Sequence, residues 1–491
     1  MTPHRSELSG LDSLEQRLAQ DLTWLNLPPK AWIPARQVAG EEVLDVAVVG
    51  GGMLGLVTLA ALQRAGIFRI RAFDRAPEGR EGPWITYARM ETLRTRKEAA
   101  GPALGLPSLT FRAWFEVQFG REAWEAMDYI PRAQWMEYLV WYRRVLDLPV
   151  ENDTQVRAVT PREDGLIELV VEGAGGTRRV LARRAVLATG LDGLGAPALP
   201  EIARSVPARF VAHGADMIDM AALKGKRVAV IGAGSSAMDN AATALEEGAA
   251  QVDIFARRPR IPFVDKFSGT GSIGMTLGYQ SLPDETKWAF MREGERIQIP
   301  PPRHSVQRVA RHDNARFHVG SPVEALEQTG EAVTITTPKG RYEVDFVIFA
   351  TGFAVDLDAR PEFAALKDRF VTWGEAYTPA PGEAHAGLAG MPYLGRAFDF
   401  VPKVEGDPIA HVHCFAFPAV MSQGKITSGI PAISEGALRM THGIAASIFA
   451  EDRAAHLDRF MSYDTPELRL GDYTDADADP AAAVSKDNAD A

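Results

Sequence analysis

Residues 45–74 read DVAVVGGGMLGLVTLAALQRAGIFRIRAFD, and this stretch decides the fold. It opens with an apolar, β-branched run, Val46 to Val49, as a strand buried on both faces of a parallel sheet requires. Gly50, Gly52 and Gly55 follow at once in the pattern G-x-G-x-x-G. Leu56 to Ala65 then has a helical apolar pattern and ends at Gly66. A second strand, Arg69 to Phe73, delivers Asp74 nineteen positions after Gly55. Each residue type has a task in a dinucleotide site. The glycines allow the tight turn, the approach of a pyrophosphate and close helix–sheet packing. The helix N-terminus offers unpaired N–H groups to phosphate, and the acid accepts hydrogen bonds from a ribose.

A second unit of the same kind begins at Lys226. An apolar strand to Ile231 leads into Gly232, Gly234 and Ala237, G-x-G-x-x-A, with Ser235 and Ser236 read as cofactor contacts and a helix from Ser236 to Glu247. The next strand, Gln251 to Phe255, is followed by Arg257 and Arg258 instead of an acid. Cations at that place suit a 2′-phosphate, so this site is expected to prefer NADPH to NADH.

The second unit is framed by a duplication. Thr154 to Gly190 shows alternating strands broken by Asp164-Gly165 and Gly175-Gly176 and closes on AVLATG; Arg316 to Gly352 repeats the sequence of events and closes on DFVIFATG. The ends, Ala188-Thr189-Gly190 and Ala350-Thr351-Gly352, are expected beside the nucleotides. The acid of the first unit suits the adenosine half of FAD, and the second unit suits NADPH. The fold class is therefore α/β, two Rossmann-like dinucleotide-binding domains with the NADPH domain inserted into the FAD domain. The expected divisions are an N-terminal arm (1–40), FAD-binding domain (41–215), NADPH-binding domain (216–340), the rest of the FAD domain with substrate-side loops (341–470), and a disordered acidic tail (471–491).

Bulk properties set limits. A chain of 491 residues exceeds what one core usually organises. The net charge of −11 argues against nucleic acid or an anionic membrane as partner. With Cys414 as the one cysteine, neither an intramolecular disulfide nor a redox-active cysteine pair can form, and no metal site is read. The start, MTPHRSELSG, lacks the features of a signal peptide, which with the cysteine count suggests a cytoplasmic protein. Self-association is left open. Leucines at 11, 14, 18, 22 and 25 predict one buried helical stripe, and Ser434 is read as N-cap of a helix to Phe449. After Asp74, the passage 75–115 is long, irregular and rich in Arg and aromatics, with Trp84, Tyr87, Arg89, Arg94, Arg96 and Lys97 as stacking surfaces and cations. The stretches 259–302 and 361–407 show no readable pattern.

Two nucleotides in one chain imply hydride exchange, and without a cysteine pair molecular oxygen is the leading acceptor. At this point the chain resembles the class B flavin-containing monooxygenases, which include the N-hydroxylating enzymes. The resemblance rests on the first glycine motif, FDRAPEGREGPW (73–84), the loop 87–97, Pro131 to Tyr138, both ATG turns, KGKRVAVIGAGSSAMDNA (224–241), and Arg257-Arg258. It implies that NADPH reduces FAD, that a flavin hydroperoxide forms, and that a small polar, nitrogen-containing substrate takes the distal oxygen. The resemblance also adds Arg75, Trp84, Thr189, Gly190, Thr351 and Gly352 to the cofactor site and places Arg94 and Lys97 beside the flavin as catalytic candidates. Departures are Glu81-Gly82-Pro83-Trp84 where the family often has paired glycines, a basic residue around Arg94 in place of an asparagine, and only Phe210 and His213 for the F-x-G-x-x-x-H signature. The alternatives are ring-carbon hydroxylation of a purine-like heteroaromatic, Baeyer–Villiger oxidation, and an NADPH–FAD electron-transfer reductase.

Overall fold

The structure, a computed structural model, describes residues 10–427, 429–469 and 472–473. Nearly all of the tail from 471, expected to be disordered, lies outside the described residues. Contacts divide the chain into one unit ending at Ser447 and another starting at Ile448.

The first unit contains the two sheets that the glycine motifs require. The strand Glu41–Val49 lies between Ile70–Phe73 and Gly176–Leu187, parallel to both, and Val46, Ala47 and Val48 are fully buried. Helices cover such a sheet, which is why its strands read as continuous apolar runs. The helix Met53–Arg64 follows Glu41–Val49 and buries its residues from Leu54 to Leu62. The meander Gln155–Pro161, Ile167–Gly173 and Gly176–Leu187 continues the same sheet, as the hairpin signals indicated.

The second sheet is parallel throughout. Its order is Val211–His213, Phe346–Phe349, Arg227–Ile231, Gln251–Ala256 and Ala315–Val319. The sheet thus takes in one strand on either side of the expected insertion, 216–340. Val347, Ile348 and Phe349 are fully buried, completing the core around Val228 and Val230, so the strand before the second ATG belongs to the inserted domain. The second meander, at 325–344, forms a three-stranded sheet of its own.

Two linkers join the sheets and pair with each other, Gly195–Pro197 against Phe353–Val355. The two stretches without a readable pattern also find each other. Tyr279, Trp288 and Met291 pack with Trp373, Leu388, Met391 and Met421 in a separate apolar cluster, over helices that include Asp284–Ile297. At the other end, the helix Gly10–Trp24 buries Leu14 and Leu18 only, and Glu15 pairs with Arg144 at 2.5 Å. Ser434 lies inside the helix Ile433–Glu451 rather than capping it. Its hydroxyl donates to the Gly101 carbonyl (2.7 Å) and accepts from the Leu104 N–H (3.0 Å), because the loop at 101–104 has no ladder to satisfy it. The second unit contains the helix Arg453–Met461, with Phe449 stacked on His456 at 4.2 Å.

Candidate active site

The two glycine turns are built alike. Gly50 has φ +105° and Gly232 has φ +140°, and a Cβ at either would lie 2.6 Å from the Ala188 carbonyl oxygen or 2.5 Å from that of Ala350. Each ATG segment therefore passes directly over the first glycine of its own motif, a contact that only glycine permits. Gly55 packs against the Gly50 carbonyl within the first helical turn, where a Cβ would come within 2.0 Å.

Beyond the turns stand two helix N-termini suited to phosphate. The helices Met53–Arg64 and Ser235–Glu246 begin at Gly52 and Gly234, with no side-chain cap and no acidic residue in the first turn. Their leading N–H groups and positive dipole ends are left for an anion. In the first site, Asp74 accepts from Gly51 N–H (2.7 Å) and Ala76 N–H (2.8 Å), one bond on each oxygen. The remaining lone pairs can serve ribose hydroxyls. These groups fit FAD. Beside them Glu81 is buried at 4% exposure and held by Asn152 (2.6 Å) and Arg143 (3.1 Å), while burial pushes its carboxyl up. It stands at the chain's departure from the family's paired glycines.

The second site opens as a cleft of about 1020 Å³. Gly232, Gly234, Ser235 and Ser236 line it together with Arg257, Arg258, Thr351 and Gly352. Residues from the loop after the first dinucleotide unit, Pro83, Tyr87, Arg89 and Arg94, line it as well. A nicotinamide dinucleotide fits these groups, and the cleft brings it against the flavin-binding half.

The other expected residues are distributed as follows. Thr189 Oγ1 donates to the Gly193 carbonyl (2.8 Å), and the Gly190 carbonyl accepts from Phe417 N–H (3.0 Å). Thr351 Oγ1 donates to the Ala198 carbonyl at 2.5 Å, locking the second ATG turn to the linker. The Trp84 ring meets Trp135 edge-on, with centroids 6.2 Å apart. Arg75 is mostly exposed and 3.9 Å from Asp192. Arg258 donates to the carbonyls of Arg296 (2.6 Å) and Glu295 (3.3 Å), whereas Arg257 is exposed and has no hydrogen bond or ion pair among the described residues.

Arg94 lines the cleft and pairs with Asp239 at 3.0 Å. Lys97 does not line it: its ammonium donates to the Trp124 carbonyl (2.6 Å) and stands 5.1 Å from the Trp124 ring centroid. The last carbonyls of the helix Phe111–Ala126 lack helical partners and attract a cation, which draws Lys97 there. Sequence reasoning passed over Asp239, whose only signal was a charge in the first turns of an alanine-rich helix. The role of Arg89 was also unreadable. Its guanidinium donates to the carbonyls of Tyr87 and Gly214, both at 2.9 Å, and burial pulls it down to about 10.

Comparison with known proteins agrees with this geometry. Residues 47–192 match the FAD-NAD(P)-binding family and residues 123–274 match the L-lysine 6-monooxygenase/L-ornithine 5-monooxygenase family. The FAD-dependent urate hydroxylase of Xanthomonas campestris is 37% identical over 462 residues, covering 94% of this chain and 97% of that protein. The chain belongs to the FAD-dependent monooxygenases. Among solved structures, this monooxygenase superposes on the Kutzneria ornithine N-hydroxylase with a TM-score of 0.64 at 18% identity, over 82% of this chain and 99% of that one. The L-lysine 6-monooxygenase of Pseudomonas syringae gives 0.61 at 18%, over 83% and 99%. These likenesses establish the shared two-domain fold. The monooxygenase binds FAD and a nicotinamide dinucleotide, and no helix among its described residues is long and apolar enough to cross a membrane.

Proposed function

We propose that the chain hydroxylates a small, planar, nitrogen-rich heteroaromatic at a ring carbon, using NADPH and O2, with urate as the leading substrate. The observation that carries this reading is the 37% identity, over nearly the full length of both chains, with a urate hydroxylase. NADPH supplies two electrons as a hydride; one oxygen atom of O2 enters the substrate, and the other leaves as water with the hydride's hydrogen and a proton from solvent. FAD, when bound, supplies the redox centre at which O2 is activated. The chain's own contribution is positioning. The glycine turns and helix N-termini fix the two pyrophosphates, the paired linkers join the domains that carry them, and Arg257 receives the 2′-phosphate.

N-hydroxylation of an amine or amino acid is the second reading, supported by the lysine/ornithine monooxygenase match over residues 123–274. The test is NADPH oxidation by FAD-loaded enzyme with urate, ornithine or lysine, with mass-spectrometric identification of the product. A hydroxylated urate carries the first reading, and a hydroxylamine the second. With Cys414 as the one cysteine, the chain has no intramolecular disulfide, which suits work in the reducing cytoplasm.

A further inference from the structure

Four arginines line the dinucleotide cleft. Arg257 and Arg258 stand at the adenosine end, after the strand Gln251–Ala256. Arg89 is spent on backbone carbonyls of Tyr87, Gly214 and Asp216, fastening the FAD-domain loop to the inserted domain. Arg94 is different. It projects from the FAD-domain strand Thr92–Arg96, its side chain is 44% exposed to the cleft, and it pairs with Asp239 at 3.0 Å.

Asp239 lies three and four positions after Ser236 and Ser235, one turn along the same face from the N-terminus where the pyrophosphate is received. It is buried to 3% exposure, and its other oxygen accepts from Ser305 Oγ at 2.9 Å. Asp239 therefore keeps a hydrogen bond if Arg94 leaves, and Arg94 has a long, half-solvated side chain with which to leave. We propose that Arg94 exchanges Asp239 for the pyrophosphate of the bound nicotinamide dinucleotide, so that occupancy of the cleft pulls on the flavin-side strand Thr92–Arg96. A doubly charged pyrophosphate offers a guanidinium more Coulomb attraction and bidentate geometry than one carboxylate. Asp239 acts as the competitor that holds Arg94 in reserve.

The exchange makes a prediction that a plain structural ion pair does not. In equilibrium titrations of the oxidised, FAD-loaded enzyme, Arg94→Ala weakens NADP⁺ and NAD⁺ alike, by about tenfold, since both carry the pyrophosphate. Asp239→Asn keeps the Ser305 hydrogen bond but removes the competing charge. It should tighten both nucleotides by about threefold or more, and the double variant should show none of that gain. FAD content and thermal midpoint are followed for each variant. Unchanged affinity in Arg94→Ala, a loss confined to NADP⁺, or Asp239→Asn binding no tighter than the unaltered enzyme overturns the proposal. If Asp239→Asn fails to retain FAD, Arg94→Lys decides: a retained charge should recover part of the affinity lost in Arg94→Ala, and no recovery refutes the exchange.

Discussion

Replacing Arg257 by alanine should change which nicotinamide the enzyme uses. Arg257 sits at the end of the strand Gln251–Ala256, exposed in the cleft and with no hydrogen bond or ion pair among the described residues, so its removal breaks nothing in the protein itself. Its neighbour differs: Arg258 holds the carbonyls of Glu295 and Arg296, and its loss would also loosen the end of the helix Asp284–Ile297. A hydrogen bond to a charged group contributes about 1.5–3 kcal/mol, and solvent exposure at Arg257 places the effect at the low end. The expected result is about a tenfold rise in KM for NADPH, with NADH within twofold of the unaltered enzyme. Rapid mixing under anaerobic conditions, following loss of oxidised-flavin absorbance at a series of NADPH or NADH concentrations, separates nucleotide affinity from the reduction rate. Equal losses for both nucleotides would falsify the assignment of the 2′-phosphate to Arg257.

Two further expectations concern groups away from the cleft. His413 is buried, its Nδ1 donates to the Ala397 carbonyl at 2.8 Å, and burial pulls the ring down to about 4 from 6.5, despite the attraction of Asp399. A folded value below the unfolded one means stability that is present above pH 6.5 and lost as pH falls from about 6.5 towards 4, by at most about 3 kcal/mol. Urea titrations at pH 7 and pH 5 should show the decline, and His413→Gln should flatten it; an unaltered slope in the variant contradicts the assignment. Lys97→Met should leave substrate turnover within twofold while lowering stability by about 1 kcal/mol through loss of the helix-end contact. A collapse of turnover with the fold intact would assign Lys97 a catalytic part.

Legibility in the sequence followed the physics of each part. The glycine motifs, the Asp74 strand end and the twin ATG turns were readable because backbone sterics leave few residue types able to occupy them, and the close approaches of Ala188 to Gly50 and of Ala350 to Gly232 are those steric demands made visible. The division of strands between sheets was less readable. Phe346–Phe349 has the buried pattern either sheet would accept, and only tertiary pairing assigns it to the second. Arg94 and Lys97, three residues apart and alike in charge, go to different partners, one to a buried carboxylate and one to helix-end carbonyls. Nothing local separates them. The stretches 259–302 and 361–407 stayed opaque because their apolar residues pack across the chain, Trp288 and Tyr279 against Trp373 and Met421, with no period to betray it.

The central claim, that two nucleotide sites serve oxygenation of a planar heteroaromatic, is tested most directly by the balance of a single reaction. FAD-loaded enzyme supplied with NADPH, O2 and urate should consume the three in equal amounts and yield a urate product bearing one oxygen atom from O2, traceable with labelled gas. Rapid NADPH oxidation that yields hydrogen peroxide and leaves urate intact, while ornithine or lysine is hydroxylated, would contradict it.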